Sequence, residues 1–176
     1  MEQITDLEKL IESCRGTRVS SATIQDFYSQ RESIEECFID SIAETHVNSS
    51  GGGAYEQCCL LAASLHFYVI IRPFPIWSGV QSILLMKLKD ALMKTDSISC
   101  WGDDIELFLW VLMEAAAVED SLKPWFTQLL THTLRTFVPK PSLKRIKDIL
   151  RKFLWNERTS SPACEKVYKD IQDTLS

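Results

Sequence analysis

The residues of this sequence most able to do chemistry are polar side chains placed within otherwise apolar segments. They fall in three segments: His66, Tyr68 and Arg72; Glu106 and Glu114; and His132 and Arg135. A charged group in such a place is costly unless it is paired, neutralised or exposed. We therefore expect about two thirds of these groups to be ion-paired or exposed.

Four of these polar groups are candidates for catalysis on an apolar molecule. They are Tyr68, Arg72, Glu114 and His132, acting as hydrogen-bond donors or acid–base groups in a cavity lined by Trp77, Trp101, Phe108, Trp110 and Trp125. Such an aromatic set is typical of a packed core and also of an apolar ligand pocket. A pocket of this kind can cyclise or isomerise a molecule without a cofactor, because holding reacting atoms together supplies up to about 7 to 11 kcal/mol.

No signature of a cofactor-dependent or metal-dependent enzyme is present in the sequence. It has no P-loop, dinucleotide glycine pattern, HExxH motif or nucleophile elbow. Its three histidines, at positions 46, 66 and 132, are far apart and cannot be assigned to one site. We predict that the protein uses no cofactor and binds no metal.

The six cysteines are spaced for packing rather than for zinc. Zinc-binding cysteines come as close pairs separated by a few residues, whereas these lie at positions 14, 37, 58, 59, 100 and 164. Cys58 and Cys59 would point about 100° apart on a helix, which suits neither a shared metal nor a disulfide. We predict reduced, mostly buried thiols, with a cysteine nucleophile as the less favoured alternative.

Length and charge restrict the class of protein. A chain of 176 residues with 45% apolar and 24% charged residues is typical of one globular domain. Its net charge of -5 argues against direct contact with nucleic acid. We interpret the basic run from Lys140 to Lys152 as the solvated face of an amphipathic helix, with an acidic partner or ligand as the alternative.

Neither secretion nor a membrane anchor is predicted. Residues 1–8 are charged and only intermittently apolar, unlike a signal peptide. The longest apolar stretch, residues 105–118, contains two glutamates and is too short to span a bilayer. We expect a soluble intracellular protein, cytoplasmic or nuclear.

Between clumps of Gly and Pro, apolar residues recur every three or four residues, which is typical of helices. Helices therefore position the polar candidates. We predict an all-α, single-domain bundle of about seven to eight helices. Residues 1–50 are predicted to form irregular N-terminal helices, at 4–14 and at 21–44, with a break in the second near 29–33. Residues 51–176 are predicted to form the main bundle.

The stretch Val47–Gly53 is predicted to be a flexible linker, because serine and glycine runs keep backbone freedom that a helix would restrict. We favour a linker over a phosphate-binding loop, because no strand precedes the glycines and no lysine follows at the required spacing.

Six further helices follow the linker. Their predicted bounds are 54–71, 78–95, 103–118, 125–137, 142–154 and 164–175. Asp103 and Ser142 are predicted N-caps, and Pro124 is predicted to be tolerated in a first turn. The helix after Asp103 is apolar nearly all round, so we expect it in the middle of the bundle.

Four motifs occur in an order that resembles the fungal-specific transcription factor domain. They are EQCCLLAA at 56–63, FLWVL at 108–112, KPWF at 123–126 and ILRKFLW at 149–155. The resemblance covers about residues 55–172 and implies an α-helical bundle that serves regulators as a middle or effector-sensing region. Lys123 stands where the family has arginine, and Glu114 stands where the family tends to small residues. The family's cysteine-rich DNA-binding module does not precede this region, so we expect no direct DNA contact.

Two functions are compatible with these observations. In the first, which we favour, a free-standing bundle binds an apolar fungal secondary metabolite and acts as a cofactor-independent cyclase or isomerase. In the second, the chain is a truncated regulator that acts through ligand or protein binding. A homodimer formed through the N-terminal helices is a further expectation.

Overall fold

Helices make up all the regular structure in the computed structural model, which describes residue 6 and residues 21–47, 53–70, 79–95 and 101–174. Seven helices lie in these ranges: α1 (Ser21–Val47), α2 (Gly53–Ile70), α3 (Val80–Leu92), α4 (Ile105–Ala117), α5 (Lys123–Phe137), α6 (Leu143–Leu150) and α7 (Ser160–Thr174). No strand occurs among the described residues, so the all-α prediction is confirmed. The candidates Arg72 and Trp77, most of the linker, and the predicted helix at 4–14 apart from residue 6 lie outside the described residues.

The apolar helix α4 lies at the centre of the bundle, as its sequence predicts. It packs against α2, α5, α6 and α7. Eight of its 13 residues are buried, among them Phe108, Trp110 and Leu112. Each fully buried Leu, Val or Phe side chain contributes about 1.5–3 kcal/mol of hydrophobic free energy. Any charged group on this helix must therefore find a partner inside the bundle or reach its edge.

The N-terminal helix α1 is continuous over 27 residues, so the predicted break near 29–33 is wrong. Ile34 and Phe38 lie one turn apart and are only 5% and 8% exposed. The Phe38 ring packs edge-on against Phe67 of α2, with ring centroids 5.7 Å apart. Burial of Ile34 and Phe38 stabilises the helix across residues 29–33, because tertiary packing contributes more to helix stability than local propensity does.

Helix ends agree with the predicted bounds to within a few residues, and a side-chain cap explains one of them. Ser142 caps α6, since its hydroxyl accepts a hydrogen bond from the Arg145 backbone N–H at 3.3 Å, as predicted. Asp104 occupies the N-cap position of α4 instead of Asp103, and its side chain makes no capping hydrogen bond. The Asp104 carboxylate accepts a hydrogen bond from the Tyr55 hydroxyl at 3.0 Å, so it ties α2 to the start of α4 and does not cap the helix.

The two C-terminal helices differ most from prediction. Helix α6 ends at Leu150, and residues 151–154 form turns. The Leu154 carbonyl is thereby available to accept a hydrogen bond from Trp110 Nε1 at 3.0 Å. Helix α7 begins at Ser160 because Pro162 falls in its first turn, where the missing N–H has no helical partner to lose.

Three of the six basic residues in the run 140–152 are ion-paired with carboxylates of the same chain, namely Lys147, Arg151 and Lys152. Lys147 Nζ lies 2.6 Å from Glu165 Oε1. Lys152 Nζ lies 2.6 Å from Glu106 Oε2. Exposed pairs of this kind contribute about 0–1 kcal/mol each. The arrangement supports the interpretation of this run as a solvated helix face over the alternative of an acidic partner.

Candidate functional site

Two of the aromatic residues predicted to line a cavity, Trp101 and Phe108, pack against each other in the interior. Trp101 and Phe108 are 0% and 2% exposed, with ring centroids 4.8 Å apart. The Tyr55 ring lies 4.5 Å from Trp101, and the Trp101 indole N–H donates to Thr95 Oγ1 at 3.3 Å. Both the faces and the polar edge of Trp101 are therefore used in packing.

The other two described tryptophan candidates lie in separate places. Trp110 is 1% exposed, its ring lies 6.0 Å from that of Phe153, and its indole N–H bonds the Leu154 carbonyl. This contact joins the FLWVL motif to the ILRKFLW motif. Trp125, in contrast, is half-buried at the start of α5, with the Lys89 ammonium 5.3 Å from its ring centroid. The tryptophans do not surround one common space.

A buried polar contact joins α2 to α4. His66 is fully buried, and its Nδ1 atom lies 3.2 Å from Glu114 Oε2. The Glu114 side chain is only 13% exposed. Removing one partner from such a contact leaves the other desolvated without compensation, which costs free energy. This contact is how the central helix tolerates a carboxylate.

A small cavity lies beside Glu114. Its volume is about 60 Å³, and its lining includes Trp155, Ser160 and Cys164. That space admits a few ordered waters, whereas small-molecule sites measure about 300–1,000 Å³. Burial raises the pKa of the Cys164 thiol to about 11, so the thiol is protonated at neutral pH and weakly nucleophilic. The cavity suits hydration of the carboxylate and is too small for a metabolite.

Tyr68 takes part in a different contact, between α2 and α1. Its hydroxyl donates to Glu35 Oε1 at 3.1 Å, and the residue is 8% exposed. Burial raises the pKa of the Tyr68 phenol, so it stays protonated and serves as a donor. The geometry gives this residue a role in holding α1 against the bundle.

A large concave surface runs along the outer face of α5, and we call it the α5 groove. The described residues that line it are Lys123, Pro124, Thr127, Gln128, Thr131, His132 and Arg135 of α5 and Asp170 of α7. Its volume is about 820 Å³, which falls within the range of small-molecule sites. Twelve residue steps separate Lys123 from Arg135, so the face is about 18 Å long.

The two ends of the α5 groove differ in charge. At its start, Lys123 Nζ lies 2.8 Å from both Glu119 Oε1 and Asp170 Oδ2. Burial opposes the charge of Lys123, but the hydrogen bonds that its ammonium donates to Asp170 and Glu119 more than reverse that effect and raise its pKa. At the other end, His132 and Arg135 are exposed, and no described carboxylate forms an ion pair with either. The positive charge of Arg135 is therefore available to a ligand.

The middle of the α5 groove contains a hydroxyl without a hydrogen-bond partner in the described structure. Thr127 Oγ1 is inaccessible to solvent and has no such partner. Thr131, one turn later, donates its hydroxyl to the Thr127 carbonyl at 2.7 Å. A buried hydroxyl left unsatisfied costs about 1–3 kcal/mol.

The structure separates the catalytic candidates. Tyr68 lies at the α1–α2 contact, Glu114 lies beside the small cavity, and His132 lies in the α5 groove. Arg72 is outside the described residues. The expectation that most embedded polar groups are paired or exposed agrees with these positions. The three described candidates do not face a shared space.

Sequence reasoning missed the α5 groove, although a signal was present. Lys123, Thr127, Thr131 and Arg135 recur every four residues, which places them on one face of α5. The apolar residues of α5 lie on the opposite side and are buried, among them Phe126 and Leu130. A polar stripe of this kind is usually a solvated face, and the sequence does not show that neighbouring elements make it concave.

Other site classes can be judged only for the described part of the chain. There, no three His, Cys, Asp or Glu side chains gather where they could hold a metal ion. Cys37, Cys58, Cys59 and Cys164 are free thiols. Within the described ranges, no helix has both the length and the apolarity needed to cross a membrane.

Comparisons with known proteins identify no relative from which a function could be inferred. A scan against protein-family models gave no match, and searches of curated proteins and of solved structures found no similar protein. The resemblance to the fungal-specific transcription factor domain therefore rests on the four motifs of this sequence alone.

Proposed function

We propose that this chain is a helical ligand-binding domain that acts by binding rather than by catalysis, and that its site is the α5 groove. The observation that carries the proposal is a groove of about 820 Å³ with an unpaired Arg135 at one end. The aromatic interior, in contrast, is packed, and the cavity beside Glu114 measures only about 60 Å³. Of the two functions compatible with the sequence, this arrangement favours the regulator-like domain that acts through ligand binding.

The composition of the α5 groove selects a class of ligand. Pro124 is exposed in the groove, and Thr127, whose Oγ1 atom is inaccessible to solvent, presents carbon surface to it. Arg135 presents a planar guanidinium, which binds carboxylates and similar anions with paired hydrogen bonds. The lysine at the opposite end is already neutralised by acidic neighbours. The ligand is therefore an apolar small molecule with one acidic group, and that group lies at the Arg135 end.

A pair of probes that differ in one charge tests this proposal. 1-Anilinonaphthalene-8-sulfonate has an apolar ring system with one anionic group, and N-phenyl-1-naphthylamine has the same rings without it. Each is titrated into the full chain by isothermal calorimetry. Arg135→Gln is expected to weaken binding of the sulfonate about tenfold, equivalent to about 1.4 kcal/mol. It should leave the affinity for the neutral probe unchanged.

Two further variants locate the site. Arg145→Gln removes an exposed arginine of α6 outside the groove and should change neither affinity. Gln128→Trp fills the middle of the groove and should weaken both. Unfolding free energies should stay within about 0.5 kcal/mol of wild type for both arginine variants. Equal sulfonate affinity in wild type and Arg135→Gln would overturn the proposed site.

The cofactor-independent cyclase or isomerase is a second candidate, favoured by one observation. His132 is exposed in the α5 groove, where an imidazole can move a proton on a bound molecule. Cyclisation and isomerisation conserve mass. Incubating the full chain with a lipophilic extract of its source organism would then yield a product of unchanged mass and altered retention, absent with His132→Ala. Such a product would replace the binding-only proposal.

A further inference from the structure

The outer face of α3 carries an exposed apolar stripe. Ile83 and Met86 are 50% and 53% exposed, and Met93, at the C-cap, is 69% exposed. These are three of the seven exposed large hydrophobic side chains in the described residues. The opposite face of α3 is buried and packs against α2. The stripe is therefore a surface without a partner in the described structure, about 15 Å long from Ile83 to Met93.

Two opposite charges lie within this stripe. Lys87 and Asp90 are both exposed, and neither has an ion-pair partner among the described residues. They lie three residues apart on one helix face, yet they do not pair with each other. Each is therefore available to a charge on another molecule.

The two apolar ends of the stripe lie at equal distances from the level of Leu88, since Ile83 and Met93 are five residues to either side. Met86 and Asp90 are two residues to either side, so this pair joins an apolar residue to a carboxylate. In an antiparallel pair of α3 helices with a two-fold axis at this level, Ile83 meets Met93 of the partner subunit. Lys87 then lies beside Asp90 of the partner subunit, and the contact occurs twice. A two-fold interface requires this self-complementarity.

We propose that the α3 stripe is a homodimer interface in which two copies of this chain pair their α3 helices antiparallel. The symmetric apolar residues and the reciprocal Lys87–Asp90 charges argue for a second copy over an unrelated protein. A pair of single helices buries less than the roughly 1,200 Å² of a standard interface, so the association is weak and depends on concentration.

Charge reversal in full-length protein tests this pairing by sedimentation equilibrium over a concentration series. Lys87→Glu and Asp90→Lys should each be largely monomeric, because each places two like-charge contacts in the dimer, raising the dissociation constant more than about tenfold. The double variant K87E/D90K should recover the wild-type dissociation constant. An equimolar mixture of the two single variants should form a heterodimer, because both of its charge contacts are attractive.

A matched control lies on another helix. Ile39→Glu changes an exposed residue of α1, 58% accessible, and should leave self-association unchanged. Equal urea midpoints for all variants would show that the fold is intact. A wild-type chain that stays monomeric at every concentration would overturn the proposal. So would single variants that associate as well as wild type, or a mixture that shows no heterodimer.

Discussion

The neighbouring helices α4 and α5 both carry polar residues in apolar sequence, but the structure uses these residues in opposite ways. On α4, Glu114 contacts His66 at 3.2 Å and is mostly buried. On α5, His132 and Arg135 are exposed in a groove and have no ion pair with a described carboxylate. A polar residue on a helix that is apolar all round must be paired inside the core. A polar residue on the outer stripe of an amphipathic helix remains available for binding.

The largest effect should come from the interior, at Trp110. Trp110→Ala removes a side chain that is 1% exposed and the hydrogen bond to the Leu154 carbonyl. We expect a loss of about 3–5 kcal/mol in unfolding free energy, measured by urea denaturation. The same change at the half-buried Trp125 should cost less than half as much. Equal losses at the two positions would remove the contrast between interior and α5 surface.

The next effect should distinguish a paired carboxylate from a hydrated one. Glu114→Gln should lower the unfolding free energy by about 1–3 kcal/mol, because it removes the carboxylate whose oxygen lies 3.2 Å from the buried His66 Nδ1 atom. Arg135→Gln, the comparable change on α5, should stay within about 0.5 kcal/mol of wild type.

The pairing itself can be measured by a double-mutant cycle with His66→Gln. The double variant should lose less stability than the sum of the single variants, because the two residues interact directly. Additive losses, or a stable Glu114→Gln variant, would show that the cavity waters satisfy the carboxylate without His66.

A smaller effect on unfolding free energy should distinguish two threonines that lie one turn apart in the α5 groove. Thr131→Val removes the hydrogen bond to the Thr127 carbonyl and should cost about 0.5–1.5 kcal/mol. Thr127→Val replaces a buried hydroxyl without a described partner and should be neutral or slightly stabilising. Both are read from urea midpoints. A larger loss at Thr127 than at Thr131 would mean that the Thr127 hydroxyl is bonded in the folded protein.

The smallest effect should be a pH dependence of the unfolding free energy, caused by Glu119 at the Lys123 end of the α5 groove. Hydrogen bonds from Lys123 and Lys166 lower the pKa of Glu119 from 4.5 to about 2. A carboxyl with a depressed folded pKa contributes stability that is present above pH 4.5 and is lost as the pH falls toward 2. Glu119 is 59% exposed, so solvent screening limits the contribution to less than about 1 kcal/mol.

Urea unfolding of wild type and Glu119→Gln across this acidic range measures that contribution. The two proteins should differ above pH 4.5 and converge as the pH approaches 2, and added salt should reduce the difference. An unchanged difference at all pH values would show that Glu119 acts through packing and not through its charge.

Local patterns were enough to predict much of the fold. The helix predicted at 103–118 is apolar nearly all round, which predicted a central position, and four other helices pack against α4. Pro124 and Ser142 marked helix starts that the structure contains. These features depend on residues within one or two turns of each other, so they are readable in the chain. The α1 break was predicted wrongly because packing against Phe67 is a long-range effect.

Local patterns in the chain indicate the helical class, the central place of α4 and the polar residues that are unusual for their surroundings. What those residues do depends on how the helices pack. Forty-eight positions separate His66 from Glu114, and their pairing depends on how α2 packs against α4. The α5 groove likewise depends on Asp170 of α7. The physical reason is that periodicity shows which face of a helix is polar, whereas packing decides whether that face is paired, solvated or concave.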